Sequence, residues 1–184
     1  MNIINQAIIF ATKVHEGQFR KATTIPYITH PYAVGMILQK ENYSEEVIAA
    51  GILHDTLEDT KTSFEELKGQ FGLHIAKLVL AASEEDKTLS WEERKQHTID
   101  ALPHADIEVI QVIVADKLHN LRSIRTDLEV YGEVIWERFN RGKSYQSWYY
   151  KNIAKTLLPR KAECRLIHKL MEEVQAAFGT YENE

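Results

Sequence analysis

Seven residues, Val47 to Leu53, are apolar or glycine, and the six that follow include His54, Asp55, Glu58 and Asp59. Few folds accommodate such a segment. Its apolar half must be covered by other elements, and the ionisable groups beyond it need partners, since unpaired charge next to buried surface is costly. Read as helix at about 100° per residue, the four ionisable side chains fall within an arc of roughly 140° and face one cavity. An imidazole beside a carboxylate, with two more carboxylates one turn on, suits a divalent metal and a metal-activated water. A His-Asp pair alone more often means a satisfied core histidine or a surface pair, so the reading depends on matching groups elsewhere. The chain contains them. His30 precedes Pro31, a residue suited to a first helical turn, and Asp116 is embedded in the apolar run Val112 to Leu121. A metal would satisfy that aspartate.

The remaining sequence is read as helical throughout, giving an all-α fold. Helices are expected over about 2–16 and 31–39, separated by a polar loop at 17–29. Ser44, with Glu45 and Glu46 in the first turn, caps the helix that carries the His-Asp pair. Ser63 with Glu66 repeats the capping pattern, and Gly72 starts a further segment to about Ala82. After a charged loop at 83–90, Ser90 and Glu93 form a capping box for a helix to about Ala101. A long apolar helix runs from Asp106 to about Ile124, followed by segments at about 133–139, 145–158 and 159–178, with a frayed tail after Gly179. Tyr145, Trp148, Tyr149 and Tyr150 read as core packing.

No β-hairpin signal, internal repeat or linker interrupts this pattern, and 184 residues fit a single domain spanning 1–184. The formal net charge of -5, with basic residues scattered, argues against nucleic acid as a partner. Cys164, the single cysteine, excludes an internal disulfide and fits a reducing compartment. Met1 to Phe10 has no basic start, and no apolar run is long enough for a bilayer, so a cytoplasmic protein without membrane contact is expected. A homo-oligomer is compatible with these features.

Five ordered motifs add specificity. They are His15-Glu16-Gly17-Gln18-Phe19-Arg20-Lys21, Pro26-Tyr27-Ile28-Thr29-His30-Pro31, His54-Asp55-Thr56-Leu57-Glu58-Asp59-Thr60, Phe71-Gly72, and Ala115-Asp116-Lys117-Leu118-His119-Asn120-Leu121-Arg122. With them the chain resembles the HD-domain metal phosphohydrolases, which are compact helical bundles. Within these it is similar to the hydrolase half of RelA/SpoT proteins and to the stand-alone Mesh-type alarmone hydrolases. The motifs lie within 5–124, and the C-terminal helices at 131–178 follow them.

The resemblance implies that His30, His54, Asp55 and Asp116 hold one divalent metal, most often Mn2+. A set of two imidazoles and two carboxylates also suits manganese or iron on chemical grounds. It implies that Glu58 and Asp59 form the catalytic acidic pair, which orients the attacking water and handles protons. Arg20, Lys21, Asn120 and Ser123 match substrate-contacting positions, and Tyr27 and Lys87 are further candidates. The implied reaction is hydrolysis of the 3′-pyrophosphate of ppGpp or pppGpp to GDP or GTP and pyrophosphate. The protein is expected to degrade the alarmone and not to make it. Two alternatives stay open. One is a phosphohydrolase of another nucleotide, such as a ppApp-type alarmone or NADPH, and the other is a catalytically silent nucleotide-sensing module. Ala22 stands where many relatives have glycine after Arg-Lys, which implies a stiffer loop. The 80–87 segment looks closer to the stand-alone enzymes than to RelA/SpoT. His74, His97, His104, His119 and His168 receive no role.

Overall fold

The computed structural model describes residues 2–84 and 88–180. Its order is set by the apolar segment from which the sequence reading began. Glu45–Leu53 forms helix α3, in which every residue from Val47 to Leu53 is buried. A helix apolar on all sides must be enclosed. Ile3–Val14 (α1), Thr29–Lys40 (α2), Phe64–Ala82 (α5) and Ile107–Tyr131 (α7) enclose it. Thr56–Asp59 (α4) is a single turn, Trp91–Ala101 is α6, and Gly142–Leu157 (α8) and Arg165–Phe178 (α9) complete the bundle. The α9 helix packs along α7 and α8. No helix among the described residues is long and apolar enough to cross a membrane.

The α2–α3 contact fixes the spacing of two imidazoles that enter the site from these helices. A Cβ on Gly51 would lie 2.3 Å from Leu38 Cδ1, and one on Gly35 would lie 2.5 Å from Ile52 Cγ1. The missing side chains let the helices approach closely enough for His30 and His54 to meet.

Polar caps locate several helix starts. Ser44, Ser63 and Ser90 accept from the backbone N–H groups of Val47, Glu66 and Glu93, and Glu93 returns a bond to the Ser90 backbone. Gly72, at φ 85°, kinks α5 where the sequence marks a second segment.

The helices depart from the sequence reading in several places. The helix carrying His54 is not continuous to Asp59: α3 stops at Leu53 and α4 begins at Thr56. The Thr56 hydroxyl takes the Leu53 carbonyl at 2.7 Å, competing with the helical bond. The α7 helix extends past Ile124 to Tyr131, where Gly132 at φ 70° ends it. Gly132–Arg138 is 3-10 and not α-helix. The segment from Pro159 is broken before Arg165, because Arg160 pairs with Glu163 at 2.7 Å and donates to the carbonyls of Leu102 and Ala105. The 17–29 loop closes through one isolated antiparallel bridge between Phe19 and Pro26, with Arg20 and Lys21 at its tip. Ala22 lies there at φ 57°, in the left-handed region that glycine fills without strain.

Candidate active site

The helix positions bring four side chains from three elements to one point. His30 enters from the first turn of α2, His54 and Asp55 from the break between α3 and α4, and Asp116 from the middle of α7. His30 Nε2 lies 3.2 Å from His54 Nε2 and 3.1 Å from Asp116 Oδ1. Asp55 Oδ2 lies 2.9 Å from His54 Nε2 and 3.5 Å from His30 Nε2. The ligand atoms of His30, His54 and Asp116 all fall within 4.8 Å of one another.

This donor set fits a divalent cation. Two imidazole nitrogens 3.2 Å apart repel unless a cation or a proton lies between them. His54 Nδ1 is committed to the Gly51 carbonyl at 2.7 Å, which it can only donate to, so Nε2 carries the lone pair of the neutral ring. The two carboxylates draw positive charge to this point. Burial disfavours charge on both rings and lowers the pKa of His30, whereas Asp55 and Asp116 overcome burial at His54 and raise it well above the ordinary value. Burial works against ionisation of the two carboxylates as well. His54 nevertheless holds Asp55 below the carboxylate range, and Lys117 with both imidazoles does the same for Asp116.

A second layer fixes these four side chains. Lys117 Nζ donates to Asp116 Oδ2 at 2.7 Å and Asn120 Nδ2 to Asp116 Oδ1 at 2.6 Å. The Tyr27 hydroxyl donates to Asp55 Oδ2 at 2.5 Å and lies 3.4 Å from Asp59 Oδ2. Burial and the adjacent Asp55 raise the Tyr27 pKa, so the phenol keeps its proton. His119 Nδ1 lies 2.7 Å from His30 Nδ1. Burial, the adjacent His30 and Arg20 lower the His119 pKa to about 4, so its ring is neutral near pH 7.

Tyr27, Lys117, His119 and Asn120 also line a cavity of about 680 Å³, so the ligand cluster adjoins that cavity through the residues that hold it. Arg20, Lys21 and Ser123 line it too. The Arg20 guanidinium donates to Asn120 Oδ1 at 3.1 Å, Lys21 to Asn140 at 3.1 Å, and the Ser123 hydroxyl to the His119 carbonyl at 3.0 Å. Lys95, Arg122 and Arg138 line it as well, each paired with a carboxylate, Glu84, Glu173 and Asp127 in turn. Trp91, Tyr149 and Tyr150 supply the aromatic wall. Tyr149 and Tyr150 are buried as the core reading expects, but their rings also face this space, and Tyr145 is exposed.

Glu58 and Asp59 sit apart from that wall. They border a second cavity, of about 700 Å³, with Gln18, Lys61 and Glu66. Burial, reinforced by Glu84, Asp59 and Asp55, pushes the Glu58 carboxyl above its usual range, and its Oε2 accepts the Glu84 backbone N–H at 3.3 Å. Tyr27 bridges this acidic pair to the ligand cluster. Lys87 lies outside the described residues. Sequence reasoning assigned no role to His119, Lys95, Lys117 or Arg138, and it read Tyr149 and Tyr150 as packing alone. Only His119 and Lys117 carried a signal, as the polar neighbours of Asp116 on an otherwise apolar helix.

The helical bundle that carries these groups agrees with the comparisons. The HD-domain profile matches residues 7–139, and the chain belongs to the HD-domain family. Its relatives place it beside the Mesh1-type hydrolases. It is 39% identical over 125 residues to the guanosine-3′,5′-bis(diphosphate) 3′-pyrophosphohydrolase MESH1 of Danio rerio, covering 66% of this chain and 69% of that one. It is 35% identical over 127 residues to the bifunctional (p)ppGpp synthase/hydrolase SpoT of Escherichia coli, of which it spans only 18%. Among solved structures, one described as a metazoan ortholog of SpoT that hydrolyses ppGpp superimposes with a TM-score of 0.82. The match has 29% identity and covers 98% of both chains. The 1.85 Å crystal structure of lmo0812 from Listeria monocytogenes gives a TM-score of 0.76 at 37% identity, covering 82% of this chain and 99% of that one.

Proposed function

We propose that this chain hydrolyses the 3′-pyrophosphate of guanosine 3′,5′-bis(diphosphate) and its pentaphosphate form, releasing pyrophosphate with GDP or GTP. The observation that carries the reading is the junction of a metal-ligand cluster with a cation-lined cavity of about 680 Å³. Such a cavity suits a multiply charged nucleotide. Similarity to MESH1 supports the guanosine substrate.

His30, His54, Asp55 and Asp116 would hold one divalent ion, with Mn2+ as the proposed native metal. When bound, it supplies Lewis-acid activation of water and of the phosphoryl oxygens. Asp55 and Asp116 balance its charge, and Tyr27, Lys117 and Asn120 prevent either carboxylate from turning away. Glu58 and Asp59 handle the proton of the attacking water. Glu58 is the partner whose burial and acidic neighbours favour the protonated form, so the two carboxylates divide acid and base roles. Water adds to the phosphorus bonded to the ribose 3′ oxygen, the P–O3′ bond breaks, and the 3′ oxygen takes up a proton.

Arg20 and Lys21 meet the phosphates or the purine face, Asn120 and Ser123 contact the substrate from the cavity wall, and Tyr27 and Lys87 are kept as candidate substrate contacts. Trp91 and Tyr149 offer stacking surfaces for the base. The test is turnover of purified protein with Mn2+ on a panel of ppGpp, pppGpp, ppApp and NADPH, with products identified. Preferential conversion of ppGpp to GDP and pyrophosphate is expected. Preferential release of phosphate from NADPH would replace the substrate while keeping the site.

A further inference from the structure

We propose that His119 is a positioning residue whose Nδ1 accepts the Nδ1 proton of His30, keeping the His30 Nε2 lone pair on the metal. The inference rests on the metal-site reading above and is independent of which nucleotide is cleaved. A neutral imidazole has one N–H and one lone pair, so the hydrogen bond of one nitrogen decides the state of the other. The two Nδ1 atoms are 2.7 Å apart, which requires a proton between them. If His119 donated that proton, a neutral His30 would carry its own on Nε2, aimed at His54, Asp55 and Asp116, and could not ligate. Donation by His30 is the polarity compatible with a metal.

His54 meets the same requirement with a backbone group, the Gly51 carbonyl at 2.7 Å, which can only accept. For His30 the acceptor is a side chain, three residues beyond Asp116 on α7. One helix therefore supplies both a ligand and the group that orients a ligand from α2. The rings are packed at a centroid distance of 4.8 Å, which limits reorientation. The same bond leaves the His119 proton on Nε2, making this ring a neutral N–H donor to a phosphate or ribose oxygen in the cavity that it lines.

The test titrates Mn2+ alone into metal-stripped wild type, His119→Phe and His119→Asn by calorimetry, with thermal melts of the metal-free proteins as a fold control. Phenylalanine keeps the ring and removes the acceptor, whereas asparagine can place its carbonyl oxygen near the Nδ1 position. Outer partners of metal-bound histidines typically contribute on the order of 10- to 100-fold in affinity. His119→Phe is expected to weaken Mn2+ binding by about that factor, and His119→Asn to recover most of it. Unchanged affinity in a folded His119→Phe, or an asparagine variant as weak as phenylalanine, would overturn the proposal while leaving the site intact. A wild type that takes up no divalent ion would overturn the metal reading itself.

Discussion

Asp116 shows at the scale of one residue why an aspartate survives in an apolar helix. It is buried, yet its two oxygens face Lys117, Asn120 and the His30 and His54 imidazoles. The carboxylate is therefore ionised and fixed in direction, as a metal ligand requires. Its partners lie in direct contact, so single substitutions should separate binding from chemistry. His54→Ala or Asp55→Ala is expected to lose both bound metal and turnover, because no neighbouring group replaces the missing donor. Metal analysis beside rate measurement checks this, and normal occupancy in either variant would remove the assignment. Glu58→Gln keeps the shape but can neither give up nor take a proton. It should retain metal and lose about 10²- to 10⁴-fold in rate, the usual contribution of general acid or base catalysis. Near wild-type turnover would transfer the role to Asp59.

At the scale of elements, the α2–α3 approach decides whether the imidazoles meet. Gly51→Ala would drive a methyl group into Leu38 and separate the two helices. Overpacking of this kind costs about 1–3 kcal/mol, and the displaced His30 should also bind metal less tightly. A melt that falls while Mn2+ affinity holds would disconnect that helix spacing from the site. Helix starts were legible in the sequence where a side chain makes the cap, as at Ser44, Ser63 and Ser90. They were not legible where distant groups decide. The break before α9 depends on Arg160 reaching carbonyls near residue 102. The break at His54 is local, a threonine hydroxyl competing for a helical carbonyl, which the spacing of apolar residues does not reveal. The candidate metal ligands stood out for a local reason: each is an ionisable group next to an apolar run. His119 looked equally local, but its meaning comes from His30, 89 residues away.

Across the whole molecule, the cavity joins the motif-bearing N-terminal helices to residues that follow them. Its aromatic wall includes Tyr149 and Tyr150 on α8, beyond the end of the family match at residue 139. No periodicity links those tyrosines to Arg20 or Asn120, so the sequence could place the chemistry but not the shape of the space around the nucleotide. The proposed reaction requires that this assembly direct water to the phosphorus at the ribose 3′ position. Hydrolysis of ppGpp in ¹⁸O-water with Mn2+, followed by mass spectrometry of both products, tests it directly. Attack at that phosphorus puts ¹⁸O in the released pyrophosphate and leaves GDP unlabelled, with no reaction after chelation. Label in the 3′-hydroxyl of GDP, orthophosphate in place of pyrophosphate, or turnover that survives chelation would contradict it.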